Sequence, residues 1–538
     1  MHVPGEDEDV YVEIVLVPVH CLDLYKRFGG VFDRTGPWNG PIQALRMKNR
    51  FLLLALLLVV SCQRAAKVEW VSTTFENPWQ VMEAAATDET TDATVVVDLS
   101  SVNQAVEGFG ACFNELGWTS LSALSEADRA GIFRELYSPE GANFTMARMP
   151  VAANDFSLDY YSYDDVEGDL ALEHFSIDHD RGTLIPFIKA AQAVNPKLRF
   201  WASPWCPPSW MKVNGHYANT SASVIFRSWA GMEDRMEDNG LAEDRQIPEG
   251  VDAFRLDPVY LDAYARYFGK FIDAYKAEGI EIFMVMPQNE PNSAQWYPAC
   301  TWTPDGLAAF VKRLGPEMAS RGVDVYLGTM ERPDPDLWDR ILTDPEAGPC
   351  IHGMGFQWAG KDALPELHRR HPELPCYQTE QECGDGRNDW AGAMHSWDLM
   401  KHYMGNGVQA YFYWNTSLLD GGVSTWGWTQ NSLVVVDKEK GTFRYSPEYY
   451  VFKHMTHYVQ PGARVLALGG TYGDVLGFLN PDGRTVLLLA NQGDAPKTVS
   501  IDGLPGRPGF PGLPSRRGRL GRPLFVTLPA GSLNTLVI

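Results

Sequence analysis

The segment EIFMVMPQNEPNS, residues 281–293, runs apolar from Ile282 to Met286 and then delivers Gln288, Asn289 and Glu290. A second segment, CYQTEQECGDG at 376–386, ends its apolar run in the same way with Thr379 and Glu380, and Glu382 follows two residues later. Burying a carboxylate without a partner is costly, so a carboxylate at the end of a strand-like run asks for a partner or a chemical task. Two such groups facing each other suit cleavage of a glycosidic bond. One protonates the departing oxygen, and the other, about 5–5.5 Å away, attacks the anomeric carbon. Further candidates end other apolar runs: Glu115, Arg148, Trp205, Glu331, Gln357, Trp358, Trp414 and Asn415. Indole faces pack on sugar C–H surfaces, while amides and guanidinium groups hydrogen-bond hydroxyls. No His, Cys or Asp cluster has metal-ligand spacing, so neither a metal nor another cofactor is expected.

These side chains need a scaffold that brings distant strand ends together. From about residue 107, strand-like runs alternate with amphipathic helical stretches. The strand candidates are VEGFGACF, FTMARMPVA, LRFWASPW, EIFMVMPQNEP, DVYLGTM, HGMGFQW, PCYQTEQ and AYFYWNTSL. SEADRAGIFRELY between them opens with Ser125 and has Asp128 three residues on, a helix-capping pattern. Strands alternating with helices in this number predict an α/β fold, a (β/α)8 barrel over 107–458, whose active sites lie at the C-terminal ends of its strands. Every candidate named above falls at such an end. Strand alternation alone does not choose between Glu380 and Glu382, which share parity.

The flanks read differently. Residues 63–106 and 459–538 hold short apolar runs separated by turn residues, such as ATVVVDLS and TVLLLAN, which predict one β-sandwich built from both ends of the chain. Within it, GLPGRPGFPGLP is too short for a collagen triple helix and reads as a Gly/Pro-rich loop at 503–523. Near the start, MKNRFLLLALLLVVSC at 47–62 has the layout of a secretory signal: a basic start, an apolar run too short to span a bilayer, then Ser61-Cys62. Val-Val-Ser-Cys resembles a bacterial lipobox, so Cys62 is the expected lipidation site and residues 1–46 an upstream extension outside the fold. Secretion across the inner membrane and a lipid anchor, facing the periplasm or the exterior, follow from that reading. The formal net charge of −23 argues against a nucleic-acid partner, because phosphate binding needs a basic face. A neutral substrate fits better.

The ordered motifs EGFGACFNE, RMPVAANDFS, ASPWCPPSWMK, MPQNEPNS, LTDPEAGPCIHGMGFQW, TEQECG and YWNTSL resemble glycoside hydrolase family 30, from about 105 to 460, and VTLPAGSLNTLVI resembles its side domain. The resemblance implies a barrel plus β-sandwich and a retaining β-glycosidase of glucosylceramidase or β-1,6-glucanase type, acting on a β-linked glucoside or glycan. By motif position it implies Glu290 as acid/base, Glu380 rather than Glu382 as nucleophile, and Asn289 at the sugar 2-hydroxyl. It implies Glu115, Trp205 and Trp414 around the sugar. Gln357 stands where glucosylceramidases carry His, and Glu115 where they carry Asp. Arg148 is expected either to pair with a barrel carboxylate or to touch the sugar. Competing activities are a β-1,6-glucanase, another β-glucosidase or a β-xylosidase. From a different class, a glycan-binding lipoprotein with an inactive barrel would have no need of Glu380.

Overall fold

The structure, a computed structural model, describes residues 68–83, 91–221, 239–504 and 523–538. The extension 1–46, the signal-like segment 47–62 with Cys62, and 505–522 of the Gly/Pro-rich loop lie outside the described residues.

Eight parallel strands close into a barrel: β1 Gly108–Cys112, β2 Met146–Pro150, β3 Arg199–Ser203, β4 Ile282–Val285, β5 Asp324–Met330, β6 Gly353–Gln357, β7 Cys376–Glu380 and β8 Val408–Asn415. The first seven lie within the runs read from the sequence, and β8 begins two residues before its run, AYFYWNTSL. They are buried nearly throughout, as expected of a parallel sheet covered by helices. The predicted capping pattern forms: the Ser125 hydroxyl accepts the Asp128 backbone N–H at 3.1 Å and opens helix Glu126–Tyr137. Barrel closure is tight at Gly110, where a Cβ would come within 1.7 Å of the Met146 carbonyl oxygen. Only glycine lets β1 and β2 approach in this way.

The side domain draws on both ends of the chain. One nine-stranded sheet runs in the order Leu524–Leu528, Lys497–Asp502, Thr94–Ala105, Arg464–Gly470, Val475–Leu479, Thr485–Asn491, Ser532–Val537, Glu69–Thr74, Gln80–Met82. It curls so that Trp70, Val97, Leu487, Val499, Val526 and Leu536 share one apolar core. Alternate residues of the same strands, such as Val71, Val486, Leu488 and Leu533, pack into the barrel's core instead. A strand with both faces covered has no polar face, and TVLLLAN is buried from end to end. His454, on helix Pro447–Thr456, joins the two domains. Its ring nitrogens lie 2.8 Å from the hydroxyls of Thr535 and Thr73.

Candidate active site

The backbone beyond β4 stays laced to its neighbours instead of leaving for solvent. Met286 N–H donates to the Ala202 carbonyl, Asn289 N–H to that of Pro204, and Thr329 N–H to that of Gln288. This lacing holds Asn289 and Glu290 over the barrel mouth. Glu290 takes a left-handed backbone, φ +48°, and its N–H donates to the Thr329 hydroxyl at 3.1 Å. Trp358, just after β6, is also left-handed at φ +46°. Such conformations cost a bulky side chain free energy and gather where geometry serves chemistry.

A cavity of about 300 Å³ opens here, lined among others by Asp155, Trp205, Asn289, Glu290, Trp358 and Glu380. Glu380 accepts three bonds. Arg148 donates to Oε2 at 2.8 Å, Gln357 Nε2 to the same oxygen at 3.2 Å, and the Trp358 indole to Oε1 at 3.1 Å. The same Gln357 nitrogen lies 3.0 Å from Glu290 Oε1, a second acceptor for one amide. The two carboxyl oxygens are therefore separated by no more than the sum of those distances, about 6 Å. Gln357 is held in this pose by the Thr379 hydroxyl, which donates to its Oε1 at 2.9 Å.

The two carboxyls are unlike electrically. Burial raises the proton affinity of both. For Glu380 the charge of Arg148 and the donors Trp358, Arg148 and Gln357 oppose that rise. For Glu290 the negative charges of Glu380 and Glu331 add to it, and only Gln357 opposes, so it is pushed well above the usual carboxylate range. This divergence favours the proton on Glu290 and the charge on Glu380.

The other expected residues fall into two groups. Trp205 and Asn289 line the cavity. Arg148, Gln357 and Trp414 lie beneath it, away from its wall. Arg148 is fully buried and donates to Glu380, to Asn289 Oδ1 at 2.7 Å and to the Ser203 hydroxyl, with its guanidinium 4.4 Å from the Trp205 ring centroid. Pairing with a barrel carboxylate is therefore its observed role, not sugar contact. Trp414 backs Trp205 in a stack 5.0 Å between centroids.

Glu115 is a correction. It opens helix Glu115–Ser122, turned away from the cavity, and its carboxylate is taken up by Leu158 N–H at 2.8 Å, the Thr183 hydroxyl and His179. An acidic side chain that does line the cavity is Asp155, in AANDFS after β2. Burial, then the charge of Glu380, raises its proton affinity. Sequence reading missed it, although it lies in a quoted motif past the strand end. It also missed Tyr297, Trp296, Trp428 and Gln430, contributed by loops after β4 and β8. Glu382 is resolved from Glu380: it points away, bonded to Lys361 at 2.8 Å and His395 at 2.9 Å.

A closed parallel barrel whose mouth holds two near carboxyls in a tryptophan-walled cavity is the arrangement of a glycoside hydrolase. Residues 106–225 and 248–459 match the glycosyl hydrolase family 30 TIM-barrel domain, and the chain belongs to that family. Putative glucosylceramidase 4 of Caenorhabditis elegans is 30% identical over 438 residues, covering 76% of this chain and 78% of its own. Endo-1,6-beta-D-glucanase of Neurospora crassa is 26% identical over 421 residues, 73% of this chain and 80% of its own. In fold, the crystal structure of SrfJ from Salmonella typhimurium matches with a TM-score of 0.71 at 22% identity, covering 88% of this chain and 99% of that one.

Proposed function

We propose that this glycoside hydrolase cleaves β-glucosidic bonds with retention, Glu380 serving as nucleophile and Glu290 as acid and then base. The observation that carries the reading is the Gln357 amide nitrogen bonded to both carboxyls. A ceiling of about 6 Å between their oxygens leaves little room for the water that an inverting enzyme places between acid and base, whose carboxyls stand about 6.5–9.5 Å apart. In the first step Glu380 attacks the anomeric carbon while the Glu290 proton passes to the departing oxygen. The glycosyl ester then forms and the Glu380 charge is consumed. In the second step Glu290, now a carboxylate, takes a proton from water as that water displaces Glu380.

The substrate class follows from relatives named for glucosylceramide and for β-1,6-glucan, which share a β-glucosyl unit. Asp155, Trp205 and Asn289 are the residues for that unit. The lining combines Ser293, Gln295, Glu331 and Arg332 with the aromatic faces of Trp296, Tyr297 and Trp428, a mixture that can hold a sugar leaving group by hydrogen bonds and stacking. Lipidation at Cys62 and export from the cytoplasm belong to the same reading and rest on the sequence pattern of 47–62. Among the described residues no helix is long and apolar enough to cross a membrane.

The deciding experiment treats the full chain with an activated 2-fluoro-β-glucoside and locates the adduct by peptide mass. The adduct is expected on Glu380. An adduct on Glu382, or an α-configured first product in NMR of the reaction, would refute the assignment. Rates on gentio-oligosaccharides against glucosylceramide then rank the leaving groups.

A further inference from the structure

Glu331 directly follows β5, and the two steps above make no use of it. Its side chain is buried. Oε1 accepts the Asn292 backbone N–H at 2.8 Å and the Ser293 hydroxyl at 3.2 Å, so Glu331 grips the turn that follows Glu290. Oε2 is buried with no hydrogen-bond partner among the described residues. Arg332 approaches no closer than 3.9 Å and is itself engaged by Glu249 and the Asn292 carbonyl. Anchoring a turn needs one acceptor oxygen, which a neutral amide also supplies. A whole carboxyl, half satisfied in the interior, is a costly way to do it. The carboxyl lines the same cavity as Glu290.

The charged and titratable groups around Glu290 come from several elements. Glu380 reaches it from β7, Asp155 from the segment after β2, Glu331 and Arg332 from the end of β5, and Tyr297 from the loop after β4. Arg148, from β2, is spent on Glu380 and Asn289. Of the negative groups, only Glu331 also holds the chain adjoining Glu290.

We infer that Glu331 is a positioning residue for Glu290: it fixes the turn beside that carboxyl and supplies negative charge that sustains its basicity while Glu380 is esterified. In the first step the bond from the anomeric carbon to the departing oxygen breaks, that oxygen takes the Glu290 proton, and Glu380 becomes a neutral ester. The repulsion between Glu380 and Glu290 then vanishes just as Glu290 must accept a proton from water. Esterification of Glu380 does not consume the charge on the ionised fraction of Glu331. When water adds, its proton goes to Glu290, the ester bond breaks and Glu380 regains its charge. Burial pushes Glu331 up to about 7 against the opposing charge of Arg332, so it is partly ionised at neutral pH.

The inference rests on the acid/base reading of Glu290, and its test separates the two. In the full chain, Glu331→Gln is expected to move the alkaline limb of kcat/KM for an unactivated β-glucoside to lower pH by about one unit, because a negative neighbour of the acid is gone. On a dinitrophenyl glycoside, whose departure needs no acid and whose turnover is limited by the second step, kcat is expected to fall about tenfold while kcat/KM changes less than about twofold. Glu331→Ser reads the same shift if the Gln variant folds poorly, and Glu331→Asp, which keeps the charge, leaves the limb in place. An unmoved limb in both neutral variants, or equal losses in kcat and kcat/KM that track a lower Tm, overturns the inference. Failure of the 2-fluoro sugar to label the unsubstituted protein would instead remove the reading beneath it.

Discussion

Two buried carboxyl centres in this barrel invite comparison. Asp180, beside the helix Leu184–Val194, is fully enclosed and receives hydroxyl bonds from Tyr161 at 2.8 Å, Tyr163 at 2.6 Å and Tyr275. Glu290 is nearly as buried, yet accepts one side-chain bond, from an amide it shares with Glu380. Burial raises the proton affinity of both, Asp180 to about 6 and Glu290 well above the usual range. A raised affinity therefore does not by itself mark a catalytic group. What separates the two is satisfaction. Asp180 is fully enclosed with donors on both oxygens, whereas Glu290 is under-bonded among the described residues and opens on space a sugar can enter. The first arrangement stabilises a fold; the second keeps a proton in reserve.

The largest expected effect is on chemistry. Glu380→Ala should lower kcat/KM by about 10⁴-fold or more through loss of covalent catalysis, with azide giving only the α-glycosyl azide. Glu290→Ala should keep activity on substrates with good leaving groups, and azide should restore turnover as the β-glycosyl azide. Equal losses on good and poor leaving groups in the Glu290 variant would break the contrast with Glu380.

Next comes stability. Asp180→Ala leaves three phenol hydroxyls short of an acceptor and should cost about 3–5 kcal/mol in denaturant unfolding, with kcat per folded molecule unchanged. Lost activity at unchanged stability would make Asp180 a second functional centre and dissolve the comparison.

A smaller effect is in pH dependence. The Asp180 carboxyl holds its proton more tightly folded, near pH 6, than unfolded, near pH 4. Between those values the folded chain binds more protons, so stability from this group is full below about pH 4 and falls as pH rises to about 6, by about 2–3 kcal/mol. Asp180→Asn should remove that slope from stability measured across pH 4 to 7. An unchanged slope would show that another group carries it.

The smallest effect belongs to Glu382. Tied to Lys361 and His395 outside the cavity, it should tolerate Glu382→Gln with less than about twofold change in kcat/KM. A hundredfold loss would reopen the choice of nucleophile.

The barrel was legible in the sequence because each parallel strand is an apolar run broken sharply by polar residues, as in MVMPQNE, and period and length are local properties. Glu290 and Glu380 were legible for the same reason, since they end such runs. Glu115 and Asp155 were not separable that way. Both are acidic residues a few positions past a strand, and what turns Glu115 aside is its capture by Leu158, Thr183 and His179, far along the chain. Trp296, Tyr297 and Trp428 were missed because an aromatic in a long loop looks the same whether it fills a core or walls a cavity. The continuity of the side sheet was likewise hidden, because a buried alternation such as TVLLLAN does not name its neighbours.

That side sheet also sets an order of assembly. The Trp70 indole donates to Asn534 Oδ1 at 3.1 Å across 464 positions, and strand Ser532–Val537 is what links Glu69–Thr74 to the rest of the sheet. On a ribosome, strand 69–74 emerges long before its partner, on the order of a minute at ordinary synthesis rates. Through that interval it is paired on one side with the short strand Gln80–Met82, while its other edge stays open to chaperones or to another nascent chain. A stop codon just before residue 532 would make the wait permanent, leaving an intact barrel sequence headed by a strand with one edge open.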